Sequence, residues 1–512
     1  MLGLRLCAVV AVLAVVASSA EGARSALCLS QRGASAPSVL AQEARFNPPS
    51  RCRGWPLLRK LEHGGDVVGV GPRVTANGTV TLDVVACGAN ATWHRSLSVF
   101  LSVYSDRVRD AVLARAPRGA GALRLAWAAP EAGEYTFLPR LHFYGDDCDG
   151  APPVYLGGSE PRCAPRQKCR TPRLQGACDK LAMVPQAGTR VAVNDVLAPT
   201  RRPGRQCRDG ATADGTWVRF SRDGRGGAAG GYSGSPWSTL VERSAHRHDR
   251  KMAPWRFSRP DCDYHFFAAS EGAACLDDVF VAYVGDSLVR GLYATTVRLL
   301  GGATDDDRIK AAQAATAQRT RGGAGSNPES QTTFTVGGAR LAYANMWAGS
   351  ELPSVRRVLA QELRRPGRPF ARIVVVANWG AEHSVAAACD AVEAKFGEQA
   401  RAALRAVRQV AGAGRPLSLV LATPTALLAR RNPGMSTTKA LQLASVLERQ
   451  AADARAAGVA DARVLDLSNL TLARFDDATL DGVHYGQTAA TMGATVLLNM
   501  LCRRPEREQQ NE

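Results

Sequence analysis

At 512 residues the chain is too long for one ordinary hydrophobic core, so two domains are expected. An apolar fraction of 46% marks a globular composition and excludes wholesale disorder. The formal charge of +18 suits an anionic partner, but the arginines are scattered and no Lys/Arg run forms an arm for nucleic acid, which is set aside as a partner.

Residues 1–20 carry Arg5, an apolar run from Leu6 to Ala17 and small residues ending at Ala20. That is the pattern of a secretory signal peptide. The run is short of the roughly 20 residues a spanning helix needs. An uncleaved signal anchor is the alternative, and only in that case is a membrane a partner. Of 13 cysteines, Cys7 lies in this segment, leaving an even 12. Disulfides formed in an oxidising compartment are the natural reading, with pairings that spacing alone does not give. No paired Cys-x-x-Cys sets occur, so no metal is assigned. Sequons at Asn77, Asn90 and Asn469 agree with passage through the secretory pathway, ending in the Golgi lumen or outside the cell.

Residues 21–50 read as a flexible leader and 51–156 as a β-sandwich domain. Within the latter, runs from Gly78, Ser96, Ala122 and Glu134 alternate apolar and polar residues, with Gly, Pro or Asn between them. Pro130-Glu-Ala-Gly-Glu-Tyr-Thr-Phe resembles the late hairpin of filamin- or immunoglobulin-like domains. Residues 157–215, rich in Cys, Pro and Arg, form a disulfide-stapled connector without a core of its own. A second domain spans 216–502, with Trp217-Val-Arg-Phe at its opening and a charged, disordered tail, 503–512, after it. Ser221 to Pro236 is Gly-rich enough for a mobile loop, and His246-Arg-His248-Asp249 is a solvated basic loop rather than a metal site.

Val279-Phe-Val-Ala-Tyr-Val has no polar alternation and reads as a strand buried on both faces. After Gly285-Asp286-Ser287, the residues Leu288, Leu292, Val297 and Leu300 recur at roughly helical spacing. Ser287 thus sits where a parallel strand ends and a helix begins, the edge at which open α/β sheets bind ligands. Free N–H groups of a first helical turn can there stabilise a negative oxygen. Gly301 to Thr333 is polar and read as an insertion. Leu341-Ala-Tyr-Ala, Arg372 to Ala377, Pro416 to Ala422 and Val464-Leu-Asp-Leu read as further strands. Phe396–Val410, Lys439–Ala457 and Thr488–Leu501 read as helices, so strand and helix alternate toward a doubly wound, mostly parallel sheet.

A serine hydroxyl needs a base to take its proton. Asp481-Gly-Val-His484 supplies one near the far end of the chain, with the Asp placed to orient the imidazole from the same short loop. Serine first, then Asp and His close together, is the order of the SGNH (GDSL-like) hydrolases. Gly285-Asp-Ser-Leu-Val-Arg290 with Asp481-Gly-Val-His484 resembles the PC-esterase branch of that superfamily. That branch includes trichome birefringence-like polysaccharide O-acetyltransferases, sialic-acid O-acetyltransferases and the neurexophilin/PC-esterase proteins. The last carry an immunoglobulin- or filamin-like domain in the same place, and the Trp255, Pro260, Cys262, Tyr264-His-Phe266 segment is similar to one in the plant proteins.

The resemblance implies an SGNH-type fold and a Ser287–His484–Asp481 set. Oxyanion donors would be the Ser287 N–H, Asn378 in an Ala-Asn-Trp-Gly run that parts from the plant pattern at Glu382-His383, and Gly349. Arg290 and Trp379 would meet the substrate, a carbohydrate, with an acidic glycan suited to the charge. The implied activity is glycan O-acetyl transfer through an acyl-Ser287 intermediate, with an acetyl donor as co-substrate and no resident cofactor. A carbohydrate O-acetyl esterase, or a non-catalytic glycan- or protein-binding protein on the same fold, is the alternative.

Overall fold

The computed structural model describes residues 57–60, 66–75, 78–87, 97–116, 119–144, 154–155, 189–194, 205–212, 215–219, 255–301, 332–345, 370–378, 416–426, 437–459, 461–474 and 484–503, with isolated positions between them. The leader, most of the cysteine-rich connector, the Gly-rich and His246–Asp249 loops and the tail beyond Arg503 lie outside the described residues.

The first strands are β1 (Leu57–Lys60), β2 (Asp66–Val74), β3 (Thr79–Cys87), β4 (Leu97–Tyr104), β5 (Val108–Ala116), β6 (Ala122–Ala128) and β7 (Gly133–Tyr144). Then come β8 (Val154–Tyr155), β9 (Thr189–Val193), β10 (Thr216–Arg219) and β11 (Trp255–Ser258). They form two sheets, in the orders β1-β2-β3-β6 and β11-β10-β5-β4-β7-β8, with β9 also on β7. Every pairing among them is antiparallel. Alternation dictates how the two sheets meet. Val80, Leu82 and Val84 of β3, Leu97, Val99, Leu101 and Val103 of β4, and Trp127 of β6 share one core.

Several pieces of this arrangement differ from the expected plan: β2 fell in a stretch assigned no element, and β9, inside the expected connector, pairs with β7 and adds Val193 to the shared core. Strand β5 fell in a stretch assigned no element. Strand β10, the expected opening of the second domain, pairs with Val108 and Arg109 of β5, and β11 extends the same sheet. Trp217 and Phe257, on β10 and β11, pack at the same time into the core of the α/β part. An antiparallel sheet therefore runs on across residue 216.

That α/β part holds α1 (Ala269–Cys275), β12 (Val279–Gly285), α2 (Ser287–Leu299), β13 (Thr332–Val336), β14 (Ala339–Asn345), β15 (Arg372–Ala377) and β16 (Leu417–Ala422). It ends with α3 (Thr437–Ala456), β17 (Asp461–Leu465), α4 (Leu467–Leu472) and α5 (Gln487–Leu501). The strand order is β13-β14-β12-β15-β16-β17. Only β13 runs antiparallel to its neighbour; the other four pairings are parallel. β12 is buried at every position, as its unbroken apolar run requires. Its odd-numbered residues Val281 and Tyr283 pack with α2 and α5, and its even-numbered Phe280, Ala282 and Val284 pack with α3. The fold class is α/β. The expected strand 464–467 ends early, because Asp466 caps α4 by accepting a hydrogen bond from the Asn469 N–H.

From β12 the chain first adds β14 on one side, then returns across to add β15 on the other. Connections leaving the carboxyl ends of β12 and β15 therefore diverge, the kind of switch point at which open α/β sheets bind ligands. Among the described residues no helix is long and apolar enough to cross a membrane.

Candidate active site

Ser287 is the first residue of α2 and directly follows the Asp286 N-cap. The Asp286 carboxylate accepts a hydrogen bond from the Leu288 N–H at 2.9 Å, which fixes the turn between strand and helix. Close approach accounts for Gly285. A Cβ there would lie 2.6 Å from the Asn378 carbonyl oxygen and 2.8 Å from Val289 Cγ2. Only glycine lets the end of β15, the end of β12 and the first turn of α2 converge at this point.

His484 lies in the loop before α5, whose N-cap is Gly486. Its Nε2 stands 2.8 Å from Ser287 Oγ, a contact between residues 197 positions apart. That is hydrogen-bond distance, and it leaves Nε2 placed to accept the hydroxyl proton. Ser287 is 7% exposed and His484 is half-buried, so the pair is largely shielded from solvent.

The backbone around the serine is held by a residue the sequence did not single out. The Tyr343 hydroxyl, fully buried on β14, donates toward Gly285 O at 3.1 Å and Asp286 O at 3.3 Å. Its ring stacks on Tyr293 of α2, with centroids 6.0 Å apart. In the sequence a tyrosine inside an apolar strand reads as core. Its role becomes visible only once β14 is known to lie beside β12.

The histidine loop has a comparable support. Tyr485 donates its hydroxyl to Ala426 O at 2.7 Å. The tyrosine also packs against a cluster of Phe100 from β4, Ala111 and Leu113 from β5, Ala426 and Leu472. The face of β4 and β5 turned away from the shared core of the antiparallel sheets thus forms a wall behind the loop carrying His484.

Asn378 directly follows β15 and is buried, with its N–H donating to Val284 O at 3.0 Å. It lies directly beside the end of β12. Arg290, in the first turn of α2, is half-buried. Asp481, Gly349 and Trp379 lie outside the described residues, as do Glu382 and His383. Among the described residues no group of three or more His, Cys, Asp or Glu side chains is arranged to hold a metal ion.

Chemically, the described pair can deliver an activated serine oxygen to an electrophile held over the amino end of α2. The N–H groups of that first turn lack intrahelical acceptors and face the same edge.

No family model matches the chain. None of the curated proteins matches it either. Among solved structures, a lipase/acylhydrolase from Enterococcus faecalis aligns with 14% identity over 43% of this chain and 93% of its own, at a TM-score of 0.21.

Proposed function

We propose that the protein is a serine-dependent acyltransferase acting on carbohydrate hydroxyls in the secretory pathway, with Ser287 as nucleophile and His484 as base. The observation that carries the reading is the 2.8 Å contact between Ser287 Oγ and His484 Nε2 at the carboxyl edge of a parallel sheet. The family resemblance of the Gly285–Arg290 and Asp481–His484 blocks supports the same reading. So does the strand order, which with helices on both faces fits a doubly wound SGNH-type sheet. The two facing antiparallel sheets fit an immunoglobulin- or filamin-like sandwich ahead of it. The disulfides fit a lumenal or secreted setting.

In the proposed cycle His484 Nε2 accepts the Ser287 proton as Oγ attacks the acyl carbon of an ester donor. The oxyanion is met by the Ser287 N–H, the Asn378 side chain and Gly349. Collapse expels the donor alkoxide, which takes the proton from His484 and leaves acyl-Ser287. A sugar hydroxyl, deprotonated in turn by His484, then attacks this ester and restores the serine. Asp481 orients the imidazole, and Arg290 and Trp379 hold the acceptor. If water replaces the sugar, the same cycle is that of a carbohydrate O-acetyl esterase.

Turnover of p-nitrophenyl acetate by purified protein, with and without an added oligosaccharide acceptor, tests this. The expected result is acetyl transfer to sugar, with kcat falling about a thousandfold or more in Ser287→Ala. Release of free acetate alone would favour the esterase. Equal turnover by wild type and variant would return the chain to a binding role.

A further inference from the structure

We propose that Arg208, Arg372, Arg463 and Arg503, gathered around the end of α5, strand β17 and the segment before β10, form a binding site for the sulfate or carboxylate groups of an anionic polysaccharide. This goes beyond the acyl-transfer reading and stands independently of it.

The cluster joins the amino end of β15, the end of α5, the middle of β17 and the segment before β10. Arg372 is the first residue of β15 and lies six residues before Asn378. At about 3.3 Å per residue, Arg372 is about 20 Å from the catalytic edge, while Arg463 is level with Val420 and Val376 further along the strands. Arg372 Nη2 donates to Leu501 O, at the end of α5, over 3.3 Å, and Arg503 follows two residues later. Arg463 Nη1 donates to the Arg208 carbonyl oxygen at 2.8 Å, which brings β17 against the segment before β10. Arg208 and Arg503 are exposed, while Arg372 and Arg463 are half-buried.

Among the described residues, Asp461 is the carboxylate that acts on Arg208 and Arg372, while Asp209 pairs with Arg259. Asp461 is engaged by Arg463, with Nη2 to Oδ2 at 2.8 Å. The carbonyl end of α5 adds only a partial negative charge and accounts for one guanidinium, that of Arg372. The buried Arg372 Nε has no hydrogen-bond partner among the described residues. The crowding is felt electrostatically. Burial, then Arg503 and Arg463, lower the affinity of Arg208 for its proton. Burial lowers that of Arg372 as well, and Arg463 and Arg208 lower it further, against the opposing pull of Asp461. A second anion relieves this surplus.

Guanidinium forks match the paired oxygens of sulfate and carboxylate groups. Single-stranded nucleic acid would call for aromatic platforms between the cations. Among the described residues none of the four guanidiniums lies over an aromatic ring; the ring contacts of arginine involve Arg109, Arg256, Arg340 and Arg474.

The test uses the full chain and fluorescence anisotropy with size-matched oligosaccharides that are sulfated, uronate-bearing or neutral, and with a single-stranded RNA. Arg208→Glu/Arg503→Glu changes only exposed side chains, and its fold is checked by thermal unfolding. Arg73→Glu/Arg190→Glu, on exposed positions of the antiparallel sheets, makes the same change in net charge. The site predicts binding of the sulfated or the uronate probe, or both, and no binding of the neutral one. It also predicts a loss of about tenfold or more in the first variant and little change in the control. The relative affinities of the two acidic probes tell sulfate from carboxylate as the recognised group. Equal losses in both variants would overturn the proposal in favour of general charge attraction. RNA bound more tightly than either acidic sugar would overturn the assigned ligand class. Because the readout is binding, an inactive Ser287 leaves it unchanged.

Discussion

Tyr343 shows how a single hydroxyl governs the geometry of the candidate nucleophile. It reaches the carbonyl oxygens of Gly285 and Asp286, immediately ahead of Ser287. Tyr343→Phe keeps the ring stacked on Tyr293 but withdraws a hydroxyl donor from those two backbone carbonyl oxygens. A stability loss of about 1–2 kcal/mol is expected. On p-nitrophenyl acetate the expected signature is a lower kcat with little change in KM, since the hydroxyl aligns the serine rather than contacting substrate. An unchanged kcat would deny Tyr343 that role. That Ser287 and His484 meet was legible in the sequence as a candidate pairing, because the proposed chemistry would restrict both the residue types and their context: a serine in a strand–turn–helix junction and a histidine before a terminal helix. Tyr343 carries no such restriction. Its function depends on which strand lies beside β12, information that is not local.

Among the elements, β5 was the least legible and is central to the assembly. Arg109, Asp110 and Arg115 interrupt its apolar run. The strand is nevertheless covered on both sides: Val108, Val112 and Ala114 face the shared core, and Ala111 and Leu113 face the cluster that backs Tyr485. A strand with two buried faces and scattered charges satisfies neither the alternating nor the continuous pattern. By contrast β12, β15 and β16 were legible almost to the residue, because parallel strands buried on both faces have no room for polar side chains. Asp110 gives β5 a measurable property. Burial pushes its carboxyl up to about 6, although hydrogen bonds from Trp127 Nε1, on β6 of the facing sheet, and from the Ala111 N–H favour its charged form. The folded state therefore holds this proton more tightly than the unfolded chain. The resulting stabilisation is complete below about pH 4 and is lost as pH rises through about 6. Asp110→Asn removes the titration. Chemical denaturation across that window is expected to show wild type losing stability relative to the variant as pH rises; parallel curves would mean that the carboxyl titrates normally.

At the scale of the whole molecule, distant parts of the chain are tied together both covalently and by packing. Cys207–Cys262 and Cys275–Cys502 are formed, the latter joining the end of α1 to the residue after α5 across 227 positions. The even cysteine count implied disulfides, but which thiols meet depends on the completed fold. Closing a loop of that length restricts the unfolded chain by about 5 kcal/mol in the entropic account. Cys275→Ser/Cys502→Ser is expected to lower the unfolding midpoint by several degrees, with the parallel sheet still forming; an unchanged midpoint would mean that packing alone holds α5 in place. The same long-range closure brings residues 287 and 484 together, and on that meeting the functional account depends. Its most direct test is intact-mass and peptide-mapping mass spectrometry after a brief exposure to p-nitrophenyl acetate, using wild type, Ser287→Ala and His484→Ala. The account predicts a single acetyl adduct on Ser287 in the wild type, no adduct there in Ser287→Ala, and adduct formation slowed about a thousandfold or more in His484→Ala. Acetylation of Ser287 at the same rate without His484, or no Ser287 adduct in correctly folded wild-type protein, would contradict it.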